Sequence, residues 1–355
     1  MSKISMKPFV FLLLMAWLAA AVPVHAAPRA IFYMTDSPGS VRDFLAHSSQ
    51  IGLLVPTWYQ VDGEGLVNGA PNDIVLNRAH NEKLPVMPIV ALSDRDLFHA
   101  LAGSTDAQAQ MNQALIRESR LHGYAGFQFD FENIDWKDRD ALSALVKTSA
   151  EALHQAGLQL SIATVPNAPG YPGSGGFAKW IFTDWQGAYD LAAIGKAVDF
   201  VCLMTYDQHT RWTTPGPVAG WQWTLDNINY ALKYVPKEKL ALGIPVYGYH
   251  WYTAAPVLDK ETGAYEPVPG AEYISAPNAL LLARQFGGKV QWDPEDRSTY
   301  FYFYRDHMRE WVFFTDQRAF KERYDLAVKD GLEGFCSWVL GEEDPAIWSV
   351  LPQNR

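Results

Sequence analysis

The chain has 355 residues, of which 48% are hydrophobic, 14% aromatic and 19% charged, and its formal net charge is −10. These values exclude a collagen-like fibre, a disordered acidic tail and a polytopic membrane protein, and they suit one large globular domain or two ordinary ones. An acidic chain lacks the basic face that the phosphate backbone requires, so nucleic acid is not expected as a partner.

The first 26 residues have the pattern of a secretory signal peptide. Lys3 and Lys7 precede an uncharged apolar run, 9–22, and the small-residue cleavage site Val-His-Ala follows at 24–26. The run is shorter than the roughly 20 residues that span a bilayer. The sequence predicts that the mature chain, 27–355, is secreted or periplasmic and has no membrane span. An uncleaved membrane anchor is the alternative.

Eight short apolar or β-branched runs recur between segments of helical period. In chain order they are Ala30–Met34, Ile51–Pro56, Pro85–Ala91, Gly126–Glu132, Gln159–Val165, Asp199–Tyr206, Leu240–Val246 and Gly334–Trp338. Strands that alternate with helices predict a parallel sheet, and eight units over about 250 residues predict an α/β fold, a closed (β/α)8 TIM barrel. An open doubly wound sheet is the rival fold, but it would want a glycine-rich nucleotide loop after an early strand, and the sequence has none.

The interval between the seventh and eighth strands is too long for a single helix. It contains the strand-like runs Ser298–Tyr304 and Glu310–Phe314. We therefore expect a small α+β insertion at about 247–316, between strand 7 and the last barrel units. The insertion and the barrel would form one domain, 27–355.

The fourth strand alternates aromatic and polar side chains. Its two faces are Phe127, Phe129 and Phe131 on one side, and Gln128, Asp130 and Glu132 on the other. Because the outer face of a barrel strand packs on helices, the polar face should point into the barrel. Two carboxylates in an apolar interior are costly, which favours a functional role. Glu132 ends the strand and should lie at the C-terminal mouth, where barrel enzymes keep their active sites.

This pair of carboxyl groups suits acid–base chemistry. Two close carboxyls in a partly desolvated site resist double ionisation, so one of them holds a proton near neutral pH. A carboxylic acid at the mouth can protonate a leaving-group oxygen, and a carboxylate behind it can stabilise positive charge, as glycoside hydrolysis requires. A buried ion pair with Arg139 or Arg305 is the structural alternative. The nine histidines lack metal-ligand spacing, so neither a metal nor a cofactor is expected.

The segment Phe-Gln-Phe-Asp-Phe-Glu-Asn resembles the fourth-strand signature of glycoside hydrolase family 18, Asp-Gly-x-Asp-x-Asp-x-Glu. The resemblance implies that Glu132 is the catalytic acid and that Asp130 orients the substrate acetamide group. Two positions depart from the signature, because Ala125 replaces its outermost Asp and Gln128 its middle one. Loss of the outermost Asp is common in the branch that resembles spore-cortex-lytic N-acetylglucosaminidases and di-N-acetylchitobiase.

Three further segments resemble this chitinase-like family. Residues 203–207 resemble its Met-x-Tyr-Asp element, 242–248 its seventh strand and 334–338 its last strand. The resemblance implies that Tyr206 is a third catalytic residue, which hydrogen-bonds the acetamide carbonyl, and that Trp338 forms the floor under the reacting sugar. The other expected substrate-binding residues are Asp207, Gln128 and Met204, together with Tyr33, Trp58 and Tyr247, which lie at or just past strand ends.

The function implied is secreted glycoside hydrolysis. The resemblance implies cleavage of β-1,4 linkages in N-acetylglucosamine-containing glycans, either chitin oligomers or peptidoglycan. It also implies a retaining, substrate-assisted mechanism, in which the 2-acetamido oxygen attacks the anomeric carbon in place of an enzyme nucleophile. A non-catalytic carbohydrate-binding lectin on the same barrel is the alternative. The expected partner is an oligo- or polysaccharide, and the default oligomeric state is a monomer.

Three tryptophans follow the sixth strand, within 208–224. Trp212, Trp221 and Trp223 fit either outer sugar subsites or a hydrophobic plug, and both interpretations stay open.

The two cysteines, Cys202 and Cys336, fall on strands six and eight, which are not neighbours. Two strand spacings of about 4.8 Å place their Cα atoms roughly 9 Å apart. A disulfide needs less than about 7 Å. We therefore expect two buried free thiols.

Overall fold

The computed structural model describes residues 27–253, 257–258, 260–266 and 269–352. The signal peptide expected at 1–26 lies outside the described residues. The strands are β1 (Arg29–Met34), β2 (Leu53–Pro56), β3 (Tyr59–Val61), β4 (Val67–Gly69), β5 (Ile89–Leu92), β6 (Gly126–Phe131), β7 (Gln159–Thr164), β8 (Phe200–Leu203), β9 (Leu240–Pro245), β10 (Tyr247–Thr253), β11 (Val257–Leu258), β12 (Tyr265–Glu266), β13 (Pro269–Ser275), β14 (Gln291–Asp293), β15 (Ser298–Arg305), β16 (Met308–Phe314) and β17 (Gly334–Trp338). The α-helices are α1 (Pro38–His47), α2 (Asp73–Glu82), α3 (Arg95–Gly103), α4 (Thr105–His122), α5 (Arg139–Gln155), α6 (Gly176–Ile181), α7 (Leu191–Ala197), α8 (Trp221–Ala231), α9 (Ala276–Phe286) and α10 (Gln317–Asp330).

Eight parallel strands form the barrel, in the order β2-β1-β17-β9-β8-β7-β6-β5. The ring closes where Leu54 of β2 forms a parallel bridge with Val86, just before β5. The short antiparallel pair β3 and β4 extends the sheet beside β5. Each of the eight predicted strands coincides with one of these barrel strands, and the predicted (β/α)8 fold is confirmed.

Strand β6 shows why the alternating pattern identified a barrel strand. Phe127, Phe129 and Phe131 are fully buried and belong to the large apolar cluster that joins the strands to the surrounding helices. Full burial of each phenylalanine contributes about 1.5–3 kcal/mol. The polar face of the strand is thereby directed toward the barrel axis, where Gln128 is fully buried.

Helix α5 packs on the outside of the barrel through an apolar stripe. Its buried residues are Leu142, Leu145, Val146, Ser149, Ala150 and Leu153. The helix is followed by Gly157, whose φ of 77° lies in the left-handed region that glycine adopts without a steric penalty. The chain can therefore reverse directly into β7.

A second sheet lies between β9 and α10. It has five antiparallel strands in the order β13-β10-β16-β15-β14. One face packs on α9, where Phe301, Phe303, Val312 and Phe314 are buried against alanines of the helix. The opposite face carries a second set of aromatic side chains.

The expectation of free cysteines is wrong, because Cys202 and Cys336 form a disulfide with a Cα–Cα distance of 6.2 Å. The estimate of roughly 9 Å assumed a flat sheet. In an eight-stranded barrel, side chains from alternate strands meet in one interior layer, and β8 and β17 are alternate strands. The strand between them places only Ala241 and Gly243 opposite the two cysteines, so little bulk separates the sulfur atoms.

Among the residues that the structure describes, no helix combines the length and the hydropathy needed to cross a bilayer.

Candidate active site

A cavity of about 180 Å³ opens at the C-terminal mouth of the barrel. It is lined by residues at or just beyond the ends of five barrel strands and by the loop after β7. The lining residues are Tyr33, Asp130, Glu132, Ala163, Trp185, Met204, Tyr206, Asp207 and Trp338. The structure thus brings together seven of the ten predicted site residues.

Asp130 lies on the barrel side of the cavity, on the polar face of β6. Its Oδ1 is inaccessible to solvent and has no hydrogen-bond partner among the described residues. Burial, reinforced by the neighbouring charge of Glu132, raises the pKa of Asp130 to about 8. The raised pKa favours the protonated form of Asp130 near neutral pH.

Glu132 follows the last residue of β6 and is partly buried. Its Oε2 accepts a hydrogen bond of 3.3 Å from Nε1 of Trp185. Burial raises the pKa of Glu132, the hydrogen bond from Trp185 opposes that rise, and the charge of Asp207 adds to it. The strand end that carries Glu132 is held by Tyr189, whose hydroxyl donates to the carbonyl of Phe131 at 2.6 Å.

Asp207 stands across the cavity, just beyond β8. Its φ of 60° is left-handed, a conformation that Asp tolerates better than most residues. Two tyrosine hydroxyls donate to its Oδ1, from Tyr247 at 2.6 Å and from Tyr249 at 3.2 Å. Burial raises the pKa of Asp207, and these two hydrogen bonds oppose the rise.

Aromatic rings form much of the remaining wall. The rings of Tyr33 and Trp338 lie 5.4 Å apart, and the hydroxyl of Tyr33 is buried with no hydrogen-bond partner within the described ranges. Tyr206 and Met204 continue the wall on the side of β8. The cavity thus combines flat apolar surfaces with polar atoms that no protein group satisfies, which is the composition of a site for a polar ring-shaped ligand.

Three predicted site residues do not line this cavity. Gln128 is fully buried below it, where its Nε2 donates to Oγ of Ser161 at 3.0 Å. Trp58 is buried and donates to Asp36 at 3.3 Å. Tyr247 lies behind Asp207, to which its hydroxyl donates, and its ring packs edge-on against Tyr206 at a centroid distance of 6.4 Å.

The alternative of a structural ion pair at Asp130 and Glu132 is wrong. Arg139 pairs instead with Asp190 at 3.2 Å, and Arg305 pairs with Glu310 at 2.7 Å. Over the part of the chain that the structure describes, no group of three His, Cys, Asp or Glu side chains is arranged to hold a metal ion.

A second groove, of about 520 Å³, shares Trp185 and Asp207 with the cavity. Its other lining residues are Phe177, Trp180, Ile181, Gln208, Thr210, Arg211, Trp212, Thr213, Tyr249 and Tyr273. Of the three tryptophans that follow the sixth strand, Trp212 is 83% exposed along this groove, as an outer subsite requires. Trp221 packs against the main core, with Cζ of Arg297 3.8 Å from its ring centroid, and Trp223 is half-buried on α8.

Sequence reasoning missed Trp185 and Tyr189. Both lie in the long connection between β7 and α7, which has no strand alternation to reveal which way a side chain points. The length of that connection was the available signal, because a βα loop much longer than six residues is commonly functional. Its aromatic residues should have been counted as candidates for the mouth.

Residues 57–343 match the family model described as Glycosyl hydrolases family 18. The chain belongs to that family and is by family a glycoside hydrolase.

The chain is similar to the following known proteins and solved structures. Over 333 residues it is 22% identical to the uncharacterized glycosylase YvbX of Bacillus subtilis, covering 92% of this chain and 91% of the relative. It is 28% identical over 262 residues to the cortical fragment-lytic enzyme of the same organism. This match covers 74% of this chain but only 56% of that protein's length. A chitinase from Chromobacterium violaceum superposes with a TM-score of 0.80 at 25% identity, covering 92% of this chain and 99% of that structure. The spore cortex-lytic enzyme SleL of Bacillus megaterium superposes with a TM-score of 0.78 at 22% identity, covering 94% of this chain and 75% of that structure. This similarity shows a shared fold.

Proposed function

We propose that the protein hydrolyses β-1,4 linkages next to N-acetylglucosamine, in chitin oligomers or in peptidoglycan glycan, by a retaining, substrate-assisted mechanism. The observation that carries the proposal is the pair Asp130 and Glu132 in one small cavity, both with raised pKa values and neither in an ion pair with a cation among the described residues. Such a pair retains a transferable proton at neutral pH, which glycosidic cleavage consumes in its first step.

The proton moves between the two carboxyls when substrate enters. Before substrate binds, the proton resides mainly on Asp130, because burial raises the pKa of this carboxyl to about 8. An acetamide N–H that donates to Asp130 stabilises its carboxylate form, and a sugar that covers Glu132 removes water and favours its protonated form. Glu132 then donates the proton to the glycosidic oxygen as the bond to the anomeric carbon breaks. It later accepts a proton from the water that opens the cyclic intermediate.

The other cavity residues position the substrate. Tyr206 holds the acetamide carbonyl so that its oxygen faces the anomeric carbon, a positioning effect. Trp338 and Tyr33 supply flat surfaces to the sugar ring, Met204 completes the wall, and Asp207 accepts from a sugar hydroxyl. Attack by the substrate's own acetamide and by water requires no cofactor.

Three residues act from outside the cavity. Tyr247 fixes the orientation of the Asp207 carboxylate. Gln128 fills the interior layer beneath Asp130, and Trp58 supports the rim through Asp36. In this proposal 27–355 is one catalytic domain, and the insertion at about 247–316 forms a wall of the second groove through Tyr249 and Tyr273.

A lectin on the same barrel is not favoured. In the proposed catalytic role the two carboxyls exchange a proton with the substrate, whereas a protein that only binds sugar could use neutral polar side chains that are less costly to bury. The relatives named as chitinases and as cortical fragment-lytic enzymes support both candidate substrates.

We also propose that the chain is exported, with 1–26 removed as a signal peptide. The disulfide between Cys202 and Cys336 supports this, because such bonds persist mainly in oxidising compartments. Sequencing the N-terminus of protein recovered from the exported fraction should give Ala27 as the first residue. An intact N-terminus in the cytoplasmic fraction alone would contradict export.

The catalytic proposal is tested with Glu132→Gln and with product analysis on N-acetylglucosamine oligomers and purified peptidoglycan, side by side. The variant should lose at least about 100-fold in turnover and keep its affinity for oligomers, since the shape of the site is retained. Glu151→Gln, on the solvent side of α5, is the control and should leave turnover unchanged. Turnover above one tenth of the unsubstituted level would refute the assignment of Glu132.

A further inference from the structure

The turn between β5 and α3 braces the end of β6, where Glu132 lies. The carbonyl of Leu92 accepts from the backbone N–H of Glu132 at 2.9 Å. The carbonyl of Ser93 accepts from the side-chain amide of Asn133 at 3.3 Å, and Nε of Arg95 donates to the backbone carbonyl of Asn133 at 3.3 Å. These hydrogen bonds from one short turn hold the backbone at Glu132 and at the residue that follows it.

The guanidinium of Arg95 also reaches the loop that carries Trp185. Its Nη2 donates to Oδ1 of Asp184 at 3.1 Å, and its Nη1 lies 3.9 Å from a carboxylate oxygen of Asp135. Trp185, the next residue after Asp184, donates to Glu132 at 3.3 Å. A planar guanidinium, with donors in fixed directions, can hold a carbonyl and a carboxylate at a set separation. Arg95 therefore joins the strand end that carries Glu132 to the loop that carries its hydrogen-bond donor.

The loop segment 176–186 depends on few other contacts for its position. Every residue of its helix, α6, is partly or fully exposed, and six residues are too few for a helix that is stable by itself. Phe182 and the half-buried ring of Trp185 supply apolar packing. Across the described ranges, the polar side-chain contacts from this segment to the barrel are those of Asp184 and Trp185. The ion pair with Arg95 is thus a principal attachment of the segment.

The same segment separates two grooves at the mouth of the barrel. Trp180, Ile181 and Trp185 line the second groove on one side and a third groove, of about 590 Å³, on the other. Arg95 and Asp184 also line the third groove. The ion pair therefore lies in the wall of the mouth itself and is not a remote surface contact.

We propose that Arg95 is a positioning residue, which holds Asp184 so that the indole N–H of Trp185 stays on the carboxyl group of Glu132. This rests on the proposed function for the role of Glu132 as the acid. Arg95 acts through Trp185 and does not itself meet the reacting atoms. Exposed ion pairs contribute little to folding, so the expected effect is on the proton affinity of Glu132 and not on stability.

The proton affinity of Glu132 is the quantity to measure, because the hydrogen bond from Trp185 lowers the pKa of this carboxyl. If the indole moves away, the pKa of Glu132 rises, and the alkaline limb of kcat/KM moves to higher pH. The other ionisable groups around Glu132 are unchanged in the variants below, and they are Asp130 on the same strand, Asp207 beyond β8, and the hydroxyls of Tyr33, Tyr189 and Tyr206.

The test uses two variants that remove opposite charges. Arg95→Gln and Asp184→Asn each break the ion pair, and each should move the alkaline limb, measured on soluble N-acetylglucosamine oligomers, to higher pH by about half a pH unit. If the two charges acted directly on Glu132, loss of the cation would raise its pKa and loss of the anion would lower it. Limbs that move in opposite directions, or that do not move in either variant, would overturn the proposal.

Two controls separate this role from a general loosening of the loop. In a Trp185→Phe background, neither substitution should move the limb further, because the contact that the ion pair maintains is already absent. Arg139→Gln breaks an ion pair of 3.2 Å and similar exposure, with Asp190, at the other end of the same connection. It should leave the limb within about 0.1 pH unit. A further shift in the first control, or an equal shift in the second, would also overturn the proposal.

A measurement without turnover keeps this proposal separate from the catalytic one. Fluorine NMR of protein labelled with fluorotryptophan identifies the signal of Trp185 as the one that Trp185→Phe removes. That signal should titrate as Glu132 ionises, and the titration should be lost in Arg95→Gln. If no oligomer is cleaved while the signal behaves in this way, the catalytic proposal fails and the positioning role stands. If oligomers are cleaved and Arg95→Gln leaves the titration unchanged, the positioning role fails and the catalytic proposal stands.

Discussion

The barrel mouth and the insertion sheet each bury a carboxyl group among aromatic rings, but the two carboxyls differ in how many of their oxygens have hydrogen-bond partners. In the sheet, Glu310 is almost fully buried and accepts from Arg305 and pairs with His250, each at 2.7 Å. In the mouth, Asp130 has a solvent-inaccessible oxygen without a partner, and its pKa is raised to about 8. A buried carboxyl whose two oxygens both have partners stabilises the fold, whereas one with an unsatisfied oxygen is available to bind a ligand.

The largest effect expected from this difference is on stability. Glu310→Ala should lower the free energy of unfolding by about 3 kcal/mol, because one ring nitrogen of the buried His250 loses its partner and the half-exposed Arg305 loses its carboxylate. Glu272 contacts the other ring nitrogen of His250 at 3.1 Å but is exposed, so Glu272→Ala should cost less than about 1 kcal/mol. Denaturant titration measures both. Equal losses would show that burial does not distinguish the two carboxylates.

At the barrel mouth, by contrast, we expect the loss of a carboxyl to reduce turnover. Asp130→Asn should reduce kcat about 100-fold, because in the proposed mechanism this carboxylate orients the acetamide and stabilises positive charge. Steady-state kinetics on oligomers checks this, with Glu310→Ala as the reference at a temperature where it remains folded. A similar fall in kcat in both variants would argue against a division between structural and catalytic carboxyls.

The same substitution should change how stability depends on pH. Folded Asp130 keeps its proton up to about pH 8, whereas the unfolded chain releases it near pH 4. The free energy of unfolding therefore falls as pH rises between these values, by at most about 1.4 kcal/mol per pH unit from this group. Asp130→Asn should remove that slope, as denaturant titrations at pH 5, 6 and 7 would show. An unchanged slope would mean that Asp130 does not carry the shifted pKa.

The smallest effect is expected at Trp185. Trp185→Phe removes the hydrogen bond that lowers the pKa of Glu132. The alkaline limb of kcat/KM should move to higher pH, and kcat should fall roughly fivefold to tenfold, which corresponds to one hydrogen bond of about 1–1.4 kcal/mol. Trp180→Phe, in the same groove but without this contact, should leave the limb in place. If both variants shift the limb equally, the effect is one of packing.

The fold and the central pair of carboxyls could be predicted because both follow from local periodicity. Alternation along 126–132 determines which side chains enter the barrel, and it placed Asp130 and Glu132 correctly at the mouth. The same parity argument failed for the cysteines, because a flat-sheet distance ignores the interior layers that barrel closure creates. Trp185 and Tyr189 were missed because loop conformation depends on tertiary packing that no short pattern encodes.

The disulfide below the cavity makes the choice of expression host an experimental variable. Cys202 lies on β8, just before Met204 and Tyr206, and Cys336 lies on β17, just before Trp338. The covalent bond thus ties together the two strands whose C-terminal ends lead into these cavity-lining residues. Material made in a reducing cytoplasm would leave those strands untethered. Kinetic constants should therefore be compared between oxidised and reduced preparations before they are assigned to the enzyme.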